Sequence, residues 1–305
     1  MPGHSNRRRS KSAITKALFF FVSAIATVSP AHTANAQMQV TVQGRESFVD
    51  TRYEYDQAVI RLALDKTKDE YGDYLVRETP QGQNWARTIL TARSKKYPNY
   101  IFKYSVSNKL PTDLYAIPFP VDLGIVGYRV AFVSEETKQR LINVDTLEEL
   151  KSFKILQGIS WLDTDILEYH GFNVQVGSDY EAMFSMIAHN RSELFLRGAN
   201  ELLGEWTTHK NLDNFTFDET FVIYYPLPRF LVTSRENQEL IARIHEGLLK
   251  AYDDGSLLRL WEDKYLESVK FARLSERKVY RLTNPFIEGI DPTWKRYVYQ
   301  VPIDE

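Results

Sequence analysis

The sequence predicts a mixed α/β protein with two lobes, each a mostly parallel sheet flanked by helices. A β-α-β-α-β alternation occurs between residues 38 and 106 and again between residues 124 and 206. This alternation is typical of parallel sheets with helices on both faces. Two proline-containing segments, residues 117–120 and 225–228, interrupt the alternation. Proline fixes its own backbone and restricts its neighbour, so each segment is expected to be extended and outside regular structure.

The individual elements follow from hydrophobic periodicity and from capping residues. The predicted strands are residues 38–42, 71–76, 101–106, 124–133, 154–157, 173–176, 194–197, 221–225 and 229–233. The predicted helices are residues 85–92, 146–151, 200–206, 237–252 and 256–266, one that begins near Thr51, one from Asp163 or Thr164 to Gly171, and one that follows a Ser178–Glu181 capping box. From residue 271 the sequence predicts an irregular tail. Its aromatic stretch, residues 280–299, is expected to pack on the first lobe; docking of a partner is the alternative.

The N-terminal 36 residues have the three parts of a secretory signal. Five basic residues precede an apolar run at residues 17–28, and the small, polar stretch that follows ends in Ala34-Asn35-Ala36. The apolar run is too short to cross the roughly 30 Å hydrocarbon core of a bilayer as a helix. We therefore predict cleavage after residue 36 and export from the cytoplasm.

Composition narrows the possible functions of the exported chain. Five of the 38 basic residues and none of the 40 acidic residues lie in the first 36, so the remainder carries a net charge of −7. An acidic surface argues against nucleic-acid binding. The absence of cysteine excludes disulfides, thiolate metal sites, cysteine nucleophiles and a lipid-modified N-terminal cysteine. A free protein without a lipid anchor is expected in the periplasm of a bacterium with two membranes.

Three segments resemble a known family. They are DTLEELKSFKILQGISWLDT at residues 145–164, SDYEAMFSMIAHNRSELFLRG at residues 178–198 and NQELIARIHEGLLKAYDDGSLLRLWEDKY at residues 237–265. Their order and spacing resemble those of type II periplasmic solute-binding proteins of the amino-acid-binding kind (family 3), from which this chain is divergent. The resemblance covers roughly residues 40–266 and is strongest after residue 124.

The resemblance implies two lobes joined by a two-crossing hinge, with a ligand cleft between them. Lobe 1 would hold residues 37–120 and 228–305, lobe 2 residues 128–222, and the hinge residues 117–127 and 225–228. The proline-containing segments fall at both crossings. The implied function is capture of a small polar or anionic solute by a monomer, which presents it to an ABC-type transporter or to a periplasmic sensor. No metal, cofactor or nucleic acid is expected.

The cleft of lobe 2 is expected to contain Ser160, Trp161 and Arg197. Residues 158–163 lie between a strand and a helix, where backbone N–H groups are unpaired and Ser160 can add a hydroxyl. Trp161 offers a flat ring for stacking; the alternative is core packing. Arg197 ends a buried strand and can bind a carboxylate in a fork; the alternative is an ion pair with Glu201. Asp163 is interpreted as a helix cap rather than a ligand contact.

In lobe 1, Ser105 and Ser107 resemble the serine pair that contacts ligand in amino-acid binders. Glu46 and Tyr53 follow the first strand and can reach the cleft; ordinary loop solvation is the alternative.

The two positions that hold the α-carboxylate and α-ammonium in the family align here with Asp113 and Gly198. This departure predicts a solute other than a free α-amino acid, held by Arg197.

An enzyme is the rival hypothesis, because some dehydratases that act on cyclic carboxylic acids share this fold. The six histidines are scattered, without the HxxxH spacing of a metal site. Neither a Ser-His-Asp arrangement nor a pair of carboxylates is visible in the sequence. We therefore expect a binding protein.

Overall fold

A computed structural model describes residues 37–44, 52–80 and 83–301, together with Met1 and Gly3. The predicted signal segment therefore lies outside the described residues, apart from those two positions, and so does Glu46.

Twelve strands are present in the described residues. In chain order they are β1 Met38–Val42, β2 Tyr74–Glu78, β3 Tyr100–Ser105, β4 Leu114–Ala116, β5 Tyr128–Val133, β6 Lys154–Gly158, β7 Asn173–Gly177, β8 Leu194–Gly198, β9 Thr216–Phe217, β10 Phe221–Tyr224, β11 Arg229–Ser234 and β12 Lys278–Arg281. The sequence missed β4, β9 and β12, which have three, two and four residues. Such runs are too short to show a reliable alternation.

Eleven α-helices lie between the described strands or follow them. They are α1 Arg52–Asp65, α2 Lys68–Tyr71, α3 Trp85–Ser94, α4 Glu135–Leu141, α5 Leu147–Lys151, α6 Leu162–Tyr169, α7 Tyr180–Ala188, α8 Leu202–His209, α9 Gln238–Asp253, α10 Ser256–Trp261 and α11 Glu267–Phe271. A π-helical turn, Glu262–Leu266, joins the last two. Among these described residues, no helix combines the length and apolar character that crossing a bilayer requires.

Local capping explains where several helices begin. Thr146 and Glu149 form a reciprocal capping box at the start of α5, which satisfies two backbone donors. At α7 the predicted Ser178–Glu181 box is wrong, because the side chain of Asp179 accepts the N–H of Ala182 instead. Asp163 is also not a cap: it lies inside the first turn of α6, after Trp161 at the N-cap position.

The strands form two sheets, as the sequence predicted. The first has the order β2-β1-β3-β11-β4, and the second has the order β12-β10-β5-β8-β6-β7, with β9 paired to β5. The pairs β1–β2, β1–β3, β6–β7 and β6–β8 are parallel, whereas β11 and β5 run antiparallel to their neighbours. The chain passes from the first sheet to the second after β4 and returns between β10 and β11. Those connections contain the two proline-containing segments.

Helices pack on both faces of the first sheet. On one face, Val40 and Val42 belong to a core with Leu240, Ile244 and Leu248, the apolar stripe of α9. Helix α9 also packs closely on α1, because a Cβ at Gly247 would lie 2.0 Å from the Ala63 carbonyl oxygen. A separate core on the sheet joins Phe102 and Phe230 to Trp294 from the C-terminal segment.

The C-terminal segment contacts both sheets. Its strand β12 pairs in parallel with β10 at the edge of the second sheet, so residues 278–281 do not join the first sheet, where lobe 1 was expected to hold them. The segment then returns: Trp294 packs in the first-sheet core, and the Tyr299 ring stacks on Trp261 at 4.3 Å. Trp294, Tyr297 and Tyr299 pack with residues of the first lobe, whereas Tyr280 lies in the core of the second sheet, so the predicted packing holds only for the end of the tail. The prediction of a wholly irregular tail is wrong, because β12 finds its partner 57 residues away in the chain.

Candidate functional site

A cleft lies where the two sheets face each other, and strand ends from both contribute to it. On the first-sheet side it is lined by Tyr53, Asp56, Trp85, Lys103, Tyr104, Ser105 and Arg229. On the second-sheet side it is lined by Ser160, Trp161, Leu162, Asp163, Arg197 and Glu201. Strands β3, β6 and β8 all end at or next to this cleft, the usual position of ligand sites in open α/β sheets.

Of the six predicted site residues, four line the cleft: Arg197, Ser160, Trp161 and Ser105. Ser107 is not among the lining residues; it is buried, and its Oγ accepts the N–H of Lys109 at 3.3 Å within a turn. Glu46 falls outside the described residues. Ser105 owes its place to β3, whose last residue pairs in register with Arg229 of β11.

Trp161 packs against the core and also lines the cleft. It is half-buried and stacks on Phe195 with ring centroids 6.2 Å apart, and it also lines the cleft. Gly158 makes this position possible, because a Cβ there would lie 2.3 Å from the indole ring. Next to it, Ser160 is exposed and adopts φ 63°, a left-handed conformation uncommon for serine. Strain of this kind is often found at ligand sites.

Arg197 is fully buried and held by two carboxylates. Its Nε donates to Glu205 Oε2 at 2.8 Å and its Nη2 to Glu205 Oε1 at 2.5 Å, a bidentate fork. The Nη2 group also lies 3.1 Å from Glu201 Oε2, so the alternative ion pair is present as well. Burial would lower the pKa of Arg197, but the two glutamates outweigh burial and raise it. Its guanidinium lies 4.7 Å from the centre of the Trp161 ring.

Glu201 joins the two sides of the cleft. Its Oε1 lies 3.3 Å from Arg229 Nη1 on β11, while its Oε2 accepts the N–H of Gly198 at 2.9 Å in the second sheet. Burial alone would raise the pKa of Glu201, but the guanidinium groups of Arg197, Arg229 and Arg129 lower it well below its usual range. Glu201 is therefore ionised at neutral pH.

Two further buried pairs complete the charge pattern. Lys103 and Asp56 lie 2.5 Å apart with side chains 6% and 9% exposed. Asp163 accepts hydrogen bonds from Arg129 and from the Tyr225 hydroxyl, the latter at 2.6 Å. Burial lowers the pKa of the Arg129 guanidinium, which these partners hold in place. Since Asp56, Asp163 and Glu201 line the cleft together with Lys103, Arg197 and Arg229, its formal charges balance.

Sequence reasoning missed Lys103, Arg129 and Arg229. Lys103 and Arg129 are single charges in otherwise apolar or aromatic strands, a signal that each needs a buried partner. Their partners could not be read from the sequence, because Asp56 is 47 and Asp163 is 34 residues distant. The two positions implied by the family alignment are not arranged for a zwitterion: Asp113 forms a surface ion pair with Arg93 at 2.8 Å. A side chain at Gly198 would collide with Asn200.

In its present form the cleft is nearly closed. Its cavity volume is about 30 Å³, whereas ligand sites usually measure about 300–1,000 Å³. Four aromatic residues, Tyr53, Trp85, Tyr104 and Trp161, occupy much of its lining. Lys109 and Asp165 form an ion pair at 2.7 Å between the two sides. The cavity could therefore hold a molecule of ligand size only if the two sides separated.

Comparison with solved structures identifies the fold. An ancestral arginine-binding protein bound to arginine matches with a TM-score of 0.56 at 13% identity, covering 75% of this chain and 98% of its own. An arginine-specific periplasmic binding protein of Salmonella typhimurium matches with a TM-score of 0.56 at 16% identity, covering 75% and 99%. A histidine kinase sensor domain with similarity to periplasmic binding proteins matches with a TM-score of 0.56 at 14% identity, covering 75% and 96%.

At sequence identities this low, the structural matches establish the fold alone. This chain has the two-lobed fold of the periplasmic binding proteins, as the sequence resemblance predicted. No protein-family model matches the sequence, and no curated protein is recognisably similar to it in sequence.

Proposed function

We propose that this chain, which has the fold of the periplasmic binding proteins, captures a small polar solute in the cleft. The observation that carries the proposal is the cleft itself, where strand ends from two sheets bring together three cations, three carboxylates and four aromatic rings. Polar groups fix the orientation of a solute and aromatic surfaces bury its apolar part. Hinge opening would admit the solute, and closure around it would exclude water.

The proposed contacts to the solute are the cleft residues whose side chains are accessible to it. Ser160 is exposed, Ser105 is half-buried, and Trp161 supplies a ring, whereas the hydroxyl of Ser107 already accepts a hydrogen bond in its own turn. Glu46 remains a proposed contact from the sequence. Arg197 is already engaged by Glu205, so we assign it chiefly to supporting Trp161 and the cleft wall.

The charge balance bears on the class of solute. An anionic group would bind most directly to Arg229, whose side chain is 14% exposed, and would compete there with Glu201. A neutral polar solute, or an anion that can displace Glu201, fits this arrangement. Neither Asp113 nor Gly198 supplies the charge that a free α-amino acid would need, so we propose a different solute.

We propose a periplasmic location, which the predicted signal segment supports. In that compartment the chain would present its solute to an ABC-type transporter. The fold shared with a histidine kinase sensor domain favours one alternative, in which the bound chain reports to a signalling receptor. Deletion of the gene separates these roles: lower uptake of the solute supports transport, and normal uptake with a lost transcriptional response supports sensing.

An enzyme of the dehydratase kind is less well supported. A general base works best with a pKa near the operating pH. The pKa of Glu201 is lowered, and Asp163 and Asp56 are already in contact with Arg129 and Lys103. We therefore favour binding without chemistry.

The direct test is a solute panel that contains amino acids, dicarboxylates, sugars and sugar acids. Thermal shift followed by calorimetry on residues 37–305 should find at least one solute with a micromolar dissociation constant. Trp161→Ala and Arg229→Gln should weaken that binding at least tenfold. Trp206→Ala removes another half-buried tryptophan of the second-sheet side, away from the cleft, and should leave affinity unchanged. Equal loss in all three variants would overturn the assignment to the cleft, and sub-micromolar binding of a standard amino acid would overturn the proposed solute class.

A further inference from the structure

We propose that residues 262–301 form a strap that restrains the opening of the cleft. The sequence resemblance implies two crossings between the lobes, whereas the strap crosses between them twice more. A segment that is fixed to both lobes must bend or detach when the lobes rotate apart about a hinge. The inference concerns the motion of the lobes, goes beyond solute capture and does not depend on which solute the cleft binds.

The first strap crossing is the π-helical turn Glu262–Leu266. Before this turn, α10 packs on α1 and α9 of the first lobe, and after it α11 packs on α8 of the second lobe. The buried Ser268 fixes α11 there: its Oγ accepts the N–H of Leu203 at 3.0 Å and donates to the Ala199 carbonyl at 2.7 Å. Turns of the π type are rare and are frequent at functional sites.

The second strap crossing follows β12 and leads back to the first lobe. On the second lobe, the N–H of Leu282 donates to the Tyr224 carbonyl at 2.7 Å. On the first lobe, Ile287 packs against the core that contains Trp294. Only residues 283–286 lie between these two attachments, so the link is short and has little slack.

Two residues of this short link hold it to the hinge and to both lobes. Asn284 is buried, and its Nδ2 donates to the carbonyl of Pro226, in the second hinge segment, at 2.8 Å. The Phe286 carbonyl accepts the N–H of Asn108 in the first lobe at 2.7 Å. The Phe286 ring lies against Tyr169 of the second lobe, with ring centroids 6.4 Å apart. Separation of the lobes would have to stretch or break one of these contacts.

The end of the strap packs on the other hinge segment, residues 117–127. The N–H of Tyr299 donates to the Leu123 carbonyl at 2.8 Å. The Tyr297 ring lies 4.6 Å from the Phe119 ring. The strap therefore contacts both hinge segments, and a change in the backbone of either one disturbs its packing.

The test is single-molecule fluorescence energy transfer between the lobes of residues 37–305, measured without solute. The chain has no cysteine, so two introduced cysteines can carry the dyes without competing labelling sites. Leu90→Cys on α3 labels the first lobe and Val176→Cys on β7 labels the second, and both positions are exposed. The ratio of open to closed molecules is the measured quantity.

Two variants release different contacts of the strap. Phe286→Ala removes the ring that lies against Tyr169. Asn284→Asp keeps the acceptor for the Phe286 N–H but removes the donor to Pro226. Each should raise the ratio of open to closed molecules about fivefold, since one hydrogen bond or a comparable contact contributes about that factor to an equilibrium. The matched control is Glu288→Gln, which neutralises an exposed charge of the same segment and should change the ratio less than twofold.

Two outcomes would overturn the strap: an unchanged ratio in both variants, and an equal change in the Glu288→Gln control. Urea denaturation checks that each variant is folded, and if Phe286→Ala is not, Asn284→Asp alone decides. Because these measurements use no solute, a failed strap leaves the proposed function standing. A failed solute panel likewise leaves the strap standing, so the two failures are distinguishable.

Discussion

The cleft and a larger cavity behind it, which lies between α7, α8 and the turn that joins α10 to α11, lie on opposite sides of one polar wall and differ in size. The cleft measures about 30 Å³ and its charges balance. The larger cavity measures about 340 Å³, and three of its five carboxylates already have partners, Glu201 and Glu205 in Arg197 and Glu181 in His209. The wall between them consists of Arg197, Glu201, Glu205 and Tyr180, whose hydroxyl donates to Glu205 Oε1 at 2.6 Å. The comparison shows that Arg197, which lines the cleft, neutralises two carboxylates that line the larger cavity.

Removal of Arg197 should have the largest effect on the free energy of unfolding, because it leaves two buried glutamates without their main cation. Arg197→Met is expected to lower the free energy of unfolding by about 3–5 kcal/mol, measured by urea denaturation. Arg140→Met removes an exposed arginine that pairs with Glu193, and should cost less than about 1 kcal/mol. Equal losses in the two variants would contradict the structural role of the wall.

Glu201 should make the free energy of unfolding decrease as the pH falls into the acid range. Its pKa is lowered in the folded chain, so its contribution is complete above the unfolded pKa of about 4.5 and is lost as pH falls through the lower folded pKa. Glu201→Gln should therefore cost about 1.5–3 kcal/mol at pH 7. The difference between wild type and variant should shrink below pH 4.5 in urea denaturation at stepped pH. A difference that is constant from pH 7 to pH 3 would refute this role.

Gly158→Ala should damage the cleft, because Gly158 makes room for the Trp161 ring. The added methyl group would lie 2.3 Å from the Trp161 ring and push the indole out of place. We expect solute affinity to fall about tenfold, or about 1.4 kcal/mol. Gly204→Ala is the control for solute binding, because a Cβ there meets nothing within 4 Å. If Gly158→Ala binds the solute as tightly as the wild type, Trp161 does not contribute to the binding site.

Removal of the ion pair between Lys109 and Asp165 is expected to have the smallest effect on stability and on solute affinity. Lys109 and Asp165 have side chains 55% and 39% exposed, so water screens their attraction. Lys109→Ala should change the free energy of unfolding by less than about 1 kcal/mol and solute affinity by less than about fivefold. A larger loss of affinity would show that this pair, and not the buried wall, holds the cleft closed.

Much of the fold could be predicted from the sequence because long elements have a clear period. The apolar stripe of α9 and the two β-α-β-α-β runs are of this kind. The strand β12 could not be predicted, because its four residues are stabilised by pairing with β10, a distant partner. The cap of α7 was misplaced by one residue, since Ser178 and Asp179 are both good capping residues.

The site could be predicted only in part, for a similar reason. Ser160, Trp161 and Arg197 lie next to strand ends or helix starts, and those positions can be found from local pattern. Glu205, which forms the fork with Arg197, could not be predicted in the same way. It lies one full helical turn beyond Glu201, the candidate that the sequence suggested. The partners of Lys103 and Arg129 could not be predicted either, because Asp56 and Asp163 are 47 and 34 residues distant and only the fold brings them together.

The central claim is that the cleft holds a small solute, and native mass spectrometry tests it most directly. Wild-type protein and the Trp161→Ala variant would be incubated with the same metabolite extract, desalted and measured under non-denaturing conditions. The account predicts a small-molecule adduct on the wild type that is absent or much weaker on the variant. The absence of any adduct on the wild type, or the same adduct on both proteins, would contradict it.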